Sequence, residues 1–88
     1  MKIQGRKLVG LNIKRIRVAQ KVSQERLAFD SGVDRSYLGG IERGEENPTV
    51  DVLDRIAEIL TVELAELFVA IDGNKIIAGL PRGRKKAD

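Results

Sequence analysis

Apolar residues recur along this chain every three or four positions, the spacing that gathers them on one face of an α-helix. Val9, Ile13 and Ile16 form the first such stripe, between Lys7 and Gln20, with Lys14, Arg15 and Arg17 among them. Ser23 stands as the N-cap of a second, short helix over 24–30, in which Leu27 and Ala28 face inward. The turn "SGV" follows, where Gly32 can take a positive φ that would strain other residues. Asp34 offers a side-chain oxygen to the open N–H groups of a third helix, 35–43, whose Leu38 and Ile41 share a face. Gly44 closes that helix and Pro48 forbids its resumption. Thr49 caps a fourth, carrying Val52, Leu53, Ile56, Ala57 and Leu60, and a fifth spans about Glu63–Ala70 with Leu64, Leu67 and Phe68.

The pattern predicts an all-α fold class, a compact five-helix domain with short connections over residues 1–70. Residues 71–88 form a separate C-terminal extension. Two apolar runs around Asp72-Gly73-Asn74 have the turn chemistry of a β-hairpin, which is marginal unless it packs on something, such as a second protomer. The remainder, "LPRGRKKAD", is polar and basic.

Composition removes most other function classes. Eighty-eight residues make one domain with a marginal core, one that dimerisation would help. With no cysteine and no histidine there is neither a disulfide framework nor the usual metal ligand and general base. No nucleophile elbow, zinc-protease motif or glycine-rich phosphate loop is present, so the chain reads as a non-enzyme with no metal and no cofactor. No signal-like or membrane-length apolar run occurs, and a cytoplasmic protein without a membrane partner is expected. Charge is segregated. Residues 1–43 hold ten lysines and arginines against four acids, 44–74 one against eight, and 75–88 five against one. A basic half joined to an acidic middle suggests one face that meets a polyanion and one that does not.

Two short helices joined by "SGVD" read as a helix-turn-helix. The surrounding residues carry a longer pattern: Ser23-Gln24, Leu27-Ala28, Gly32-Val33, Tyr37-Leu38, Ile41-Glu42-Arg43-Gly44 and Asn47-Pro48. Over about residues 8–68 the chain resembles the phage-repressor (Cro/repressor-like, XRE-type) helix-turn-helix family. Within it, "DRSYLGGIERGEENPTV" looks most like the controller proteins of restriction–modification systems. The resemblance implies a sequence-specific transcriptional regulator that binds double-stranded DNA as a homodimer. An antitoxin-type or protein-interaction module on the same fold is the alternative.

Carried onto this chain, the resemblance places base contacts at Arg35 and Ser36, the first exposed residues of the third helix. Arginine pairs bidentately with guanine O6 and N7. Tyr37 either touches a thymine methyl or a phosphate, or packs against the second helix. Gln24 heads the second helix, where the family clamps a phosphate, and Arg43 and Asn47 are further phosphate candidates. Arg17 and Glu42 occupy positions the family joins as a structural ion pair.

Gly39 and Gly40 interrupt the third helix, each costing roughly 1 kcal/mol against alanine. With Leu38 and Ile41 inward they are expected on the outer face, position 40 being one the family uses for a third base contact. Close approach of the helix to DNA is one reading; tolerance by the core is the other. Lys21 and Thr61 stand where the family commonly has glycine, so those helix ends are expected to be shaped differently. Dimerisation is expected through the C-terminal third, at Leu64, Leu67, Phe68, Val69 and Ile71. Two reading helices would then lie about 34 Å apart on a pseudo-palindromic site.

Overall fold

A computed structural model describes residues 4–72 and 75–76. Four α-helices follow one another: α1 (Gly5–Ala19), α2 (Gln24–Ser31), α3 (Arg35–Glu42) and α4 (Val50–Leu60). The fifth element is not the expected α-helix but a five-residue 3-10 helix, Leu64–Phe68. Two two-residue strands, β1 (Ile71–Asp72) and β2 (Lys75–Ile76), pair antiparallel with Ile71 opposite Ile76. The expected turn residues Gly73 and Asn74, and the basic tail, lie outside the described residues.

The predicted N-caps act as such. Ser23 Oγ accepts from the N–H of Arg26, Asp34 from that of Ser36, and Thr49 Oγ1 from that of Val52. The apolar stripes meet in one core, with Ile13, Leu27, Leu38, Ile56 and Leu60 each contributing a side chain without solvent contact. Leu67 belongs to the same core at 0% exposure, which corrects its expected place in a dimer interface. Its side chain is spent within its own chain.

Asn12 explains why the last helix is short. It lies on the buried face of α1, three residues from Val9 and four from Ile16, and is completely covered. Its Nδ2 donates to the carbonyls of Leu67 (3.1 Å) and Val69 (2.9 Å), while its Oδ1 accepts from Arg15 Nε and Nη2. These carbonyls find their donor in α1, and the backbone turns extended at Val69 (φ −68°, ψ 136°). Every polar atom of this buried amide is engaged, as burial demands. A polar residue on the apolar stripe was the only sequence trace of it.

All four helices end alike. One or two residues past the end a left-handed residue follows, and the N–H of the residue after it reaches back to the carbonyl five residues earlier, as in a Schellman motif. The left-handed residues are Lys21 (φ 61°), Gly32 (74°), Gly44 (80°) and Thr61 (60°). The back-bonds run from Val22 to Arg17, Val33 to Ala28, Glu45 to Gly40 and Val62 to Ala57. Lys21 and Thr61 therefore do not reshape their helix ends, contrary to expectation. Val22 and Val62, the residues that follow, pack against the core and hold the turn in place.

That arrangement leaves Thr61, β-branched and left-handed, under local strain of about 1–2 kcal/mol. Thr61→Gly should relieve it, offset in part by the greater freedom of glycine in the unfolded chain. A net gain of up to about 1 kcal/mol is expected, read as a higher urea midpoint at unchanged slope. An unchanged or lower midpoint would show the strain to be absorbed elsewhere.

Candidate nucleic-acid interface

The turn between α2 and α3 sets up the site. Gly32 takes the left-handed conformation, Val33 packs on the core, and Asp34 opens α3. The hydroxyl and N–H of Ser36 donate to the Asp34 carboxylate, and with the charge of Arg35 nearby they hold its carboxyl below the usual range. The cap stays ionised at neutral pH. It leaves Arg35 and Ser36 exposed at the N-terminal end of α3.

Behind them lies a linked set of polar side chains. Arg17 and Glu42 form a fork-to-fork pair, Nε to Oε2 at 2.7 Å and Nη2 to Oε1 at 3.0 Å, with side chains only 11% and 3% exposed. Arg17 Nη1 also donates to the Val22 carbonyl at 2.8 Å, tying the pair to the end of α1. Glu42 Oε1 accepts a second bond from Gln24 Nε2 at 3.0 Å. That orients the Gln24 amide so that its Oε1 faces Arg35, whose Nη1 lies 3.5 Å away. The Arg17–Glu42 pair and Gln24, separate expectations from the sequence, are thus one network across α1, α2 and α3.

The other expected contact residues lie around this frame. Tyr37 is half-buried, packs against the core, and follows Arg35 and Ser36 along α3. Arg43 is exposed and pairs through Nε with Glu45 at 3.1 Å, in solvent where such a pair is worth little and opens readily. Asn47 is exposed in the loop after α3. Of the residues expected to mediate dimerisation, Phe68 is 46% exposed, while Leu64, Val69 and Ile71 are half-buried.

Gly39 and Gly40 are not bare, which corrects the expectation that both lie open on the outer face. Both are buried. A Cβ on Gly39 would meet Arg43 Nη1 at 3.1 Å and the Gln24 amide at 3.8–3.9 Å. One on Gly40 would lie 2.8 Å from Cγ of Glu46 and 3.0 Å from its Oε2. The room left by the missing side chains is taken by neighbours from α2 and from the loop. The acidic block therefore begins on α3 itself, not at the far end of the domain.

Gly10 was missed by the sequence reading. A Cβ there would stand 2.3 Å from the Ile41 carbonyl oxygen and 2.6 Å from that of Glu42. The backbones of α1 and α3 touch at this point. Gly10, Ile13 and Arg17 form one stripe along α1, and a glycine beginning a buried stripe was the available signal.

Two short helices set by a left-handed glycine turn, with the second helix's polar N-terminal end exposed, define a helix-turn-helix. Residues 13–67 match the helix-turn-helix family HTH_3, and the chain belongs to that family. The chain is 42% identical over 67 residues to the uncharacterized HTH-type transcriptional regulator y4dJ of Sinorhizobium fredii, covering 76% of this chain and 87% of that one. It is 36% identical over 64 residues to the control protein C.BamHI of Bacillus amyloliquefaciens, covering 72% and 79%. Among solved structures, the restriction-modification controller protein C.AhdI of Aeromonas hydrophila superposes with a TM-score of 0.70 at 43% identity, over 72% of this chain and 96% of that one. The immunity repressor of Bacillus phage phi105 is 37% identical over 59 residues, but this chain spans only 41% of its length.

Proposed function

We propose that this chain is a transcriptional regulator that binds a pseudo-palindromic DNA site as a homodimer, with α3 in the major groove. The observation that carries the reading is the N-terminal end of α3. There an exposed arginine and serine stand on a frame of buried charge that fixes the helix against α1 and α2. The major groove admits one α-helix, and the residues at its N-terminal end reach base edges.

In this reading Arg35, Ser36 and Tyr37 contact bases, while Gln24, Arg43 and Asn47 hold phosphates. Arg43 exchanges Glu45 for a phosphate on binding. Glycines at 39 and 40 let the α2 and loop side chains lie low over α3, so the helix still approaches DNA closely. Dimerisation uses Phe68, Leu64, Val69 and Ile71. A controller role in a restriction–modification system is favoured by the likeness to C.BamHI at 36% identity and to the solved C.AhdI at 43% identity. Among the described residues no helix is long and apolar enough to cross a membrane.

Arg35→Ala tests the assignment. Removing a bidentate base contact should lower the preference for operator over random DNA by about ten-fold or more, while binding to random DNA stays nearly intact. Titrating both duplexes at one salt concentration reads the two terms separately. Equal losses on both would make Arg35 a phosphate contact and overturn its role. Sedimentation of the free protein and its complex checks the dimer, which a monomer in both states would refute.

A further inference from the structure

Gly40 sits four residues after Ser36, so the two share one stripe of α3. A side chain at 40 would point along that stripe. Its place is instead filled from the loop: Cγ, Cδ and Oε2 of Glu46 lie 2.8, 3.4 and 3.0 Å from where a Gly40 Cβ would be. None of the ion pairs among the described residues engages this carboxylate, although its neighbour Glu45 is held by Arg43. Glu46 is half-buried, with its charged end laid on the helix that carries Arg35 and Ser36.

We propose that Glu46 is a specificity-determining residue, whose carboxylate accepts a hydrogen bond from the N4 amino group of a cytosine in the bound DNA. The proposal rests on the reading that α3 enters a major groove. A carboxylate there is repelled by the phosphates on both sides, and it only accepts hydrogen bonds. It therefore needs a donor, and the major groove offers two, cytosine N4 and adenine N6. Adenine N6 is flanked by the acceptor N7, which opposes the second carboxylate oxygen. Cytosine N4 has no acceptor on its own base beside it. Guanine presents O6 and N7, both acceptors, and is rejected outright. The loop thus replaces the base contact that glycine at 40 cannot make, and selects by repulsion as much as by attraction.

Selection of binding sites from a random duplex pool tests this, using the full chain as wild type, Glu46→Ala, Glu46→Gln and Arg35→Ala. The wild type should recover cytosine at one pair of symmetry-related positions, preferred about ten-fold over the next base. Glu46→Ala should reduce that preference below about two-fold, leave the positions read by Arg35 unchanged, and bind random DNA more tightly at low salt. Glu46→Gln, whose amide both donates and accepts, should move the preference to adenine. Arg35→Ala should alter other positions and keep the cytosine. An identical motif from wild type and Glu46→Ala would overturn the proposal and leave Glu46 as a cover for Gly40. A wild type that recovers no motif at all, with Arg35→Ala equally indifferent, would mean that the operator reading itself fails, and this role with it.

Discussion

Gly10→Ala should destabilise the domain by about 3 kcal/mol or more, at the upper end of what an inserted methyl group costs in a filled interior. The new carbon would stand 2.3 Å from the Ile41 carbonyl oxygen and 2.6 Å from that of Glu42, where carbon and oxygen ordinarily rest at about 3.3 Å or beyond. The obstructing atoms are backbone, so no rotamer change relieves the contact. Helices α1 and α3 must move apart. Helix propensity acts the other way, favouring alanine by roughly 1 kcal/mol, so any net loss measures the clash. Against a total stability of roughly 4–13 kcal/mol for a chain of this size, the loss is a large share. Urea denaturation checks it, and a variant as stable as the wild type would show that the helices can separate freely. Arg17 lies seven residues on along the same stripe, so separation also pulls its guanidinium away from Glu42.

The second large effect is at Glu42. Its carboxylate is 3% exposed and accepts from Arg17 twice and from Gln24 once. Glu42→Ala strands a guanidinium that is 11% exposed, with only the Val22 carbonyl left to it. A loss of about 3–5 kcal/mol is expected, because breaking a buried pair from one side leaves its partner's charge unpaired. The pair itself need not be strongly stabilising. Arg17→Met with Glu42→Leu removes both charges and fills similar volume, so most of the stability should return. Thermal unfolding of the two single variants and the double completes the cycle. A double variant as weak as Glu42→Ala alone would show that the shape of the pair matters more than its charges. The double variant should also bind DNA with less discrimination, since Gln24 loses the acceptor that orients it toward Arg35.

These two sites differ in how far the sequence announces them. Arg17 and Glu42 are charged residues amid apolar stripes, and the family resemblance alone implies their pairing. What it did not show is that Gln24 shares Glu42 Oε1, because that bond spans eighteen residues and depends on how α2 crosses α3. Gly10 carried no charge or turn chemistry to mark it. Its importance lies in the distance between two helix backbones, a quantity set only when the core closes. Leu67 shows the same limit from the apolar side. A hydrophobic residue near the end of a small domain suits its own core or a partner's surface equally, and only the packing places it inside.

By itself the sequence determined the four α-helices, their N-caps at Ser23, Asp34 and Thr49, the left-handed turn at Gly32, and the membership of Arg35 and Ser36 in an exposed helix start. All of these rest on hydrogen bonds and periodicities within a few residues, where side-chain chemistry acts directly on the neighbouring backbone. Tertiary structure decided the rest. It forced Lys21 and Thr61 into left-handed turns because Val22 and Val62 gain more from the core than the turns lose. It cut the last helix short because Asn12, fifty-five residues away, takes the Leu67 carbonyl. It covered Gly39 and Gly40 with Arg43, Gln24 and Glu46 because the start of α2 lies against α3 and the loop after α3 folds back over it. Each of these outcomes sets contacts made in the folded domain against a local preference, and their free energy exists only once the chain has closed on itself.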